Sequence, residues 1–184
     1  MVELGKATTV FETPRLVVRR WTLDDLQSFF AIFGEPEVWR FLPGNPPSTA
    51  AEASGFLEHM LTRMQHWEGM GSFAMSERES GAVIGNVMLR PLANGPEIEV
   101  GYHVAMPYWG QGYATEAARG AVRYGFETLG LEEIFGVVVP DNFASRRVLE
   151  KAGLIWIRRD RFYNLDCDVL RVERTTWSAA PPTS

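Results

Sequence analysis

The chain has 184 residues, 46% of them hydrophobic and 22% charged, so we expect one globular domain with a substantial core. Its 18 basic and 23 acidic residues give a formal net charge of −5 without any basic block, which argues against nucleic acid as a partner. The first residues lack signal-peptide features, no apolar run reaches membrane length, and the single cysteine, Cys167, cannot form an internal disulfide, so we expect a cytoplasmic protein without a membrane partner.

The amino-terminal half of the sequence predicts a strand, two helices and then three strands. The strand covers 15–21, and a helix with Thr22 as its cap follows, with an apolar stripe that includes Leu23. A second helix begins where Thr49 and Glu52 have capping-box spacing, and it ends near Gly69. Short turns join the next three strands, which predicts an antiparallel meander formed by the segments SFAMS, AVIGNVMLR and EIEVGYHVA.

The carboxyl-terminal half predicts two strand–helix steps and a final pair of strands. A helix with a small inner face runs from Ala114 to Gly130, a strand covers 134–139, and a helix covers 144–153. The last strands are LIWIRRDRFY and DVLRVERTTW. The order of elements predicts an α+β, three-layer fold with a central mixed sheet and helices on both faces, in a single domain at 1–178 with a flexible tail at 179–184.

The stretch YWGQGYATEA places two glycines directly before a helix, which is a physical basis for an anion site. The first amides of a helix lack intrahelical acceptors and lie at the positive end of its dipole. Gly110 and Gly112 let ligand oxygens approach the main chain. The expected donors to a phosphate or pyrophosphate are the amides of Gln111, Gly112, Tyr113, Ala114 and Thr115.

Three other kinds of glycine turn are alternatives for this stretch. A P-loop needs Gly-Lys-Ser/Thr where the chain has Gly112-Tyr113-Ala114, so that class is excluded. A dinucleotide fingerprint needs a third glycine where Thr115 stands, and it belongs to a βαβ unit rather than after a meander. A tight structural turn without any ligand is the commoner explanation of an isolated Gly-x-Gly, and the turn alone leaves it open.

The segment from about 97 to 154, including YWGQGYATEA and DNFASRRVLEKAGL, resembles the GNAT superfamily of acyl-CoA-dependent N-acetyltransferases. The stretch ETPRLVVRRWTLDD is similar to the first strand and helix of its RimJ/RimL-like branch, the ribosomal-protein N-terminal acetyltransferases. The resemblance implies a GNAT-like acyl-CoA N-acyltransferase fold with a mostly antiparallel sheet. In the family's pyrophosphate motif, Gly112 and Ala114 fill the last fixed places, but Trp109 stands where Arg or Gln is usual.

The resemblance also assigns residues to acetyl-CoA. The strand before the turn splays from its neighbour at a bulge, and the backbone of Val104 and Met106 would bind the pantetheine arm. Asn142 would bind the pantetheine as well, and Ser145 would face the thioester sulfur as general acid, because Leu149 replaces the helix tyrosine of many relatives. From the residues alone, a role limited to capping the helix is an equal alternative for Asn142 and Ser145.

The sequence offers several candidates for the general base. Glu97 and Glu99 alternate onto one strand face, and Glu99 is preferred, with Glu97, His103 and water as alternatives. Two solvent-facing glutamates would give the same pattern, and His103 is attractive because an unperturbed imidazole titrates near neutral pH. His59 and His66 lie seven residues apart, too far for a shared metal ion, so no metal site is predicted.

The leading hypothesis is therefore transfer of an acetyl group from acetyl-CoA to a primary amine, either a protein N-terminal α-amine or a small molecule. A homodimer is compatible with this hypothesis, although no residue indicates an interface. The contrasting hypothesis is a catalytically inactive CoA-binding regulatory module. A nucleotide-binding oxidoreductase follows from the glycine turn alone and is disfavoured by the surrounding pattern.

Overall fold

A computed structural model describes residues 7–177, so residue 178 and the predicted tail at 179–184 lie outside the described residues. The strands of this part are β1 (Thr9–Glu12), β2 (Leu16–Arg20), β3 (Gly71–Glu77), β4 (Val83–Pro91), β5 (Ile98–Val104), β6 (Glu133–Val138), β7 (Ile155–Phe162) and β8 (Leu165–Glu173). The α-helices are α1 (Leu26–Phe33), α2 (Pro36–Trp39), α3 (Ala50–Met64), α4 (Tyr113–Glu127) and α5 (Phe143–Lys151).

The described strands form one eight-stranded sheet in the order β1-β2-β3-β4-β5-β6-β8-β7. The β5–β6 pair is parallel, and every other neighbouring pair is antiparallel. The predicted meander is β3-β4-β5, and the mixed, mostly antiparallel sheet is confirmed. Parallel strands need a crossover connection, and α4 provides it between β5 and β6.

Helices cover both faces of the sheet, as the sequence predicts. Ala74, Asn86 and His103 lie opposite one another on β3, β4 and β5, and Ala74 belongs to the core cluster of α1 and α3. Because strand side chains alternate, Val87 and Tyr102 point to the other face, where they pack with α4 and α5. We call these the α1–α3 face and the α4–α5 face.

Helix α4 lies close to the sheet because its inner positions are small. Ala117, Ala118 and Gly125 are buried, and a Cβ atom added at Gly125 would lie 2.7 Å from Cδ1 of Ile134 on β6. The close packing expected from the small face is therefore present.

The amino-terminal part differs from the prediction in four places. Strand β1 and the short helix α2 were not predicted. Leu23 was predicted to lie on the apolar face of the first helix. Residues 23–25 instead form a separate 3-10 turn before α1, and the Leu23 side chain is 48% exposed. Helix α3 ends at Met64, before the predicted end near Gly69.

Candidate functional site

Strands β5 and β6 part from each other and leave an opening at the centre of the sheet. Within the described residues, their backbone pairing is confined to Glu99 and Phe135. The β4–β5 register continues without a shift to Gly85 and Val104, so the opening arises from lost pairing with β6 and not from a bulge against β4. This gap, between 100–104 of β5 and 136–138 of β6, is the wedge.

The backbone of Val104 faces the wedge. Ala105 N donates to Ile84 O at 2.8 Å, so the alternation of an antiparallel ladder turns the N–H and C=O groups of Val104 away from β4. The Val104 carbonyl accepts a 2.6 Å hydrogen bond from the indole Nε1 of Trp109. Met106 lies in the turn that follows, and its side chain is exposed. Trp109, which departs from the usual family residue, thus holds the end of β5 to the glycine turn.

The entrance of α4 has the geometry of an anion site. Gly110 and Gly112 have φ angles of 75° and 84°, a left-handed conformation that strongly favours glycine. Glu116 N donates the first backbone bond of the helix, to Gly112 O at 3.0 Å. The amides of Tyr113, Ala114 and Thr115 precede that bond and are available to a ligand. The glycines therefore form a tight turn, and this turn leaves the first amides of α4 open to a ligand.

Arg15, which sequence reasoning did not select, directly precedes β2 and braces this entrance. Its Nε donates to Glu116 Oε2 at 2.6 Å, its Nη1 donates to Gln111 O at 3.0 Å, and its guanidinium lies 4.3 Å from the Tyr113 ring centroid. Burial acts to raise the pKa of Glu116, but hydrogen bonds from Thr13 and Arg15 hold it below its ordinary value. These contacts cross about a hundred residues, so no local pattern signals them.

The start of α5 forms the opposite wall of the wedge. Asn142 Oδ1 accepts from Ser145 N at 3.1 Å, so Asn142 caps α5 through its side-chain oxygen. The Tyr102 hydroxyl donates to Ser145 O at 2.8 Å and lies 3.0 Å from Ser145 Oγ. Burial raises the pKa of Tyr102 above its ordinary value, which keeps the phenol protonated. Tyr102 is a second site residue that the sequence did not reveal.

Glu99 is buried on the α1–α3 face, so the solvent-facing interpretation is wrong for it. Its Oε1 accepts from Arg90 Nε at 2.9 Å and from Tyr163 Oη at 2.7 Å. Burial and the neighbouring carboxylate raise the pKa of Tyr163 to about 12, so this phenol remains a donor. Glu99 sits at the closed end of the wedge, where β5 still pairs with Phe135.

His103 lies nearer the open end of the wedge, on the same face as Glu99. Asn86 Oδ1 accepts from Trp21 Nε1 at 2.9 Å and from Ser72 Oγ at 2.8 Å, which turns its amide nitrogen toward His103 Nδ1, 3.4 Å away. Nδ1 is then an acceptor and Nε2 carries the proton. Burial lowers the pKa of His103 to about 4, in contrast to the unperturbed value assumed from sequence, which weakens it as a base.

Two kinds of feature are absent from the described residues. Between residues 7 and 177, no group of three or more His, Cys, Asp or Glu is placed to hold a metal ion. None of the helices in that range combines the length and the apolar character needed to cross a membrane. Cys167 is buried, and burial raises the pKa of its thiol.

Comparison with known proteins identifies the family. The sequence profile described as the acetyltransferase (GNAT) domain matches residues 15–155. The chain belongs to the GNAT acetyltransferase family. Like other members, this GNAT protein is an acyltransferase, and the family uses acetyl-CoA as its acyl donor.

Relatives of this GNAT protein include enzymes from bacteria and a fungus. It is 32% identical over 145 residues to the uncharacterised N-acetyltransferase YoaA of Bacillus subtilis, covering 78% of this chain and 81% of that protein. It is 34% identical over 139 residues to the FsC-acetyl coenzyme A-N(2)-transacetylase of Aspergillus fumigatus, covering 71% of this chain and 57% of that protein.

A solved structure shares the fold. Mycobacterium smegmatis RimJ in complex with CoA-disulfide superposes with a TM-score of 0.76 at 19% identity, covering 92% of this chain and 90% of that one. At this identity the likeness concerns the fold alone. The GNAT fold expected from sequence is confirmed.

Proposed function

We propose that this GNAT protein transfers an acetyl group from acetyl-CoA to a primary amine by direct attack on the thioester, and that it belongs to the RimJ/RimL-like branch. One observation carries the proposal: a glycine-led helix entrance and the Tyr102–Ser145 hydroxyl pair flank the same wedge. The branch assignment is supported by ETPRLVVRRWTLDD, whose Arg15 braces the α4 entrance.

The residues around the wedge fit the parts of acetyl-CoA. The amides of 111–115 would hold the pyrophosphate, since they lie at a helix amino terminus and a Cβ atom at Gly110 would meet nothing within 4 Å. The backbone of Val104 and Met106, with the Asn142 side chain, would hold the pantetheine arm. At Val104 this role falls to the N–H, because Trp109 occupies the carbonyl. The side chains of Met106, Trp109 and Phe143, in the same segments, are apolar and exposed.

Acetyl transfer to an amine forms a C–N bond and breaks the C–S bond of the thioester. The attacking amine must be neutral, which is easier for an α-amine with a pKa of about 8 than for lysine at about 10.4. We assign the amine proton to Glu99 through an intervening water, and later to solvent. Because Arg90 and Tyr163 occupy Oε1 of Glu99, Oε2 is the oxygen that would accept it.

The departing sulfur leaves as a thiolate and needs a proton. We assign that proton to the Ser145 hydroxyl. The backbone of Ser145 is held at the first turn of α5 by two contacts, the Asn142 cap at its N–H and the Tyr102 hydroxyl at its carbonyl. In the free protein the Tyr102 hydroxyl donates to the Ser145 carbonyl, so its oxygen can accept from Ser145 Oγ. Tyr102 thereby orients Ser145 and links it to a hydrogen-bonded chain. During the reaction the Ser145 hydroxyl turns from Tyr102 to the sulfur and gives it the proton, and Ser145 then regains a proton from solvent.

The test is thiol release by the purified protein with acetyl-CoA and a panel of primary amines. Ser145→Ala should lower kcat by about 10²-fold while leaving the KM for acetyl-CoA within about twofold. Ser54→Ala on α3, which removes a hydroxyl bonded to Glu58, is the matched control and should retain activity. Binding of CoA without amine-dependent thiol release across the panel would instead support the inactive CoA-binding module.

A further inference from the structure

An open pocket of about 380 Å³ lies between α2, the start of α3 and the segment that joins them. Its walls are mostly apolar, and one ionisable side chain lines it; the lining residues are Trp39, Asn45, Pro46, Pro47, Glu52 and Phe56. Its volume lies in the range of small-ligand sites, and it is open to solvent, with Glu52 and Phe56 exposed.

Aromatic contacts connect this pocket to the wedge. The Phe56 ring packs edge-on against Phe33 with centroids 5.9 Å apart, and Phe33 packs in the same way against His103 at 5.2 Å. His103 belongs to the part of β5 that borders the wedge on the α1–α3 face. The pocket is therefore two ring contacts from the wedge, on the face opposite to α4 and α5.

Glu52 is a fixed anion in this pocket. Its Oε2 accepts from Ser48 N at 2.7 Å and from Ser48 Oγ at 2.9 Å, and these hydrogen bonds hold the pKa of Glu52 below its ordinary value. Its Oε1 has no hydrogen-bond partner among the described residues. The Trp39 ring is fixed as well, because its Nε1 donates to Phe33 O at 2.6 Å.

We propose that this pocket binds a second, cationic group of the acceptor, so that the preferred acceptors are amines that carry an additional positive charge. The carboxylate of Glu52 and the faces of Trp39 and Phe56 stabilise an ammonium or guanidinium group, and the prolines pack against its methylene chain. An acceptor with an anionic group would be repelled by Glu52. This inference rests on the proposed acetyl transfer and names the class of acceptor for it.

The experiment compares kcat/KM for acceptors that differ in the second group. One arm uses 1,4-diaminobutane, butylamine and 4-aminobutanoate, and the other uses Ala-Lys and Ala-Met dipeptide amides, which separates free diamines from peptide amino termini. We expect kcat/KM to be at least about tenfold higher for the dicationic acceptor of at least one arm, mainly through a lower KM. The arm that shows this preference identifies the source of the acceptor. The lowest kcat/KM is expected for 4-aminobutanoate.

Glu52→Gln should reduce that advantage to less than about threefold, because the amide keeps the bonds to Ser48 and loses the charge. Glu58→Gln, on the same helix and bonded to Ser54, is the matched control and should keep the advantage. Turnover without a charge preference in either arm, or a preference that survives Glu52→Gln, would overturn this inference and leave acetyl transfer standing. If no acceptor turns over, calorimetry with 1,4-diaminobutane still decides: binding that Glu52→Gln abolishes supports the cationic pocket, and absence of binding refutes it.

Discussion

The contact between Tyr102 and Ser145 joins the two walls of the wedge through a single phenol. Tyr102 comes from β5, the strand beside the open gap, and Ser145 comes from the first turn of α5. The hydroxyl of the serine is only a weak acid, so its usefulness depends on being held in one orientation. Leu149, at the place of the helix tyrosine of many relatives, is buried in the core, and a tyrosine from a different element now reaches this region.

We predict that Tyr102→Phe lowers kcat by at least about tenfold with little change in the KM for acetyl-CoA, because Ser145 loses its orienting partner. The variant should also lose about 1 kcal/mol of the free energy of unfolding, since the hydrogen bond from Tyr102 to the partly buried Ser145 carbonyl is lost. Thiol-release kinetics and urea denaturation measure the two effects.

Tyr124→Phe is the matched control for this prediction. It also removes a hydroxyl that donates to a carbonyl, that of Gly69 at 2.9 Å, but it lies away from the wedge. It should therefore lose similar stability and keep its kcat. Equal kcat values for the two variants would contradict an orienting role for Tyr102.

Helix α4 combines two requirements that its sequence meets at different positions. Its first turn presents amides at the glycine entrance, and its inner face must be small enough for the helix to approach the sheet. At Gly125 a Cβ atom would lie 2.7 Å from Ile134 and 3.2 Å from Leu89. Glycine in a helix interior is costly in isolation, so here packing outweighs helix propensity.

We predict that Gly125→Ala destabilises the protein by about 1–3 kcal/mol, because overpacking against Ile134 exceeds the gain in helix propensity. Gly55→Ala in α3 is the control: nothing lies within 4 Å of its added Cβ, and it should stabilise by about 0.5–1 kcal/mol. Thermal unfolding of both variants measures the difference. Stabilisation by Gly125→Ala would show that α4 can move away from the sheet at little cost.

The topology of the whole sheet creates the wedge, and a buried polar network lies beside it on the α1–α3 face. The β5–β6 pair is parallel in a sheet that is otherwise antiparallel, and the polypeptide returns through α5 to line the gap. Trp21, Ser72, Asn86 and His103 join the end of β2 to β3, β4 and β5 through hydrogen bonds. Burial of the imidazole lowers the pKa of His103 and keeps it neutral, which links the stability of the fold to pH.

We predict that stability falls as the pH decreases from about 6.5 toward 4 and that His103 contributes to the loss. The folded pKa of about 4 lies below the ordinary value of 6.5, so in this window the unfolded chain binds a proton that the folded chain does not. Each unit of difference corresponds to about 1.4 kcal/mol. Urea denaturation at pH 7 and pH 4.5 measures the effect.

His103→Gln should show a smaller loss of stability over this pH range than the unmodified protein. His59→Gln, which replaces an exposed histidine on α3, should behave like the unmodified protein. An identical pH dependence in the unmodified protein and His103→Gln would refute a depressed pKa for His103.

Local sequence patterns accounted for most of the elements and for the helix entrance. The alternation of side chains predicted β3, β4 and β5, and helical spacing predicted α1, α3 and α4. The Gly110–Gly112 turn also lies where the sequence predicts it. Strand and helix periodicity and left-handed φ angles depend on neighbouring residues, so they can be read along the chain. The short strand β1 was not predicted, because four residues are too few to show a clear alternation of side chains.

Contacts between distant segments could not be read in this way. Arg15 meets Glu116 across 101 positions, Tyr102 meets Ser145 across 43, and β8 pairs between β6 and β7 although it follows both. The burial of Glu99 and the proton position on His103 depend on the side chains that surround them in space. Periodicity determines which face of an element is apolar, whereas packing determines which elements meet, and the hydroxyl pair, the braced entrance and the wedge exist only after they have met.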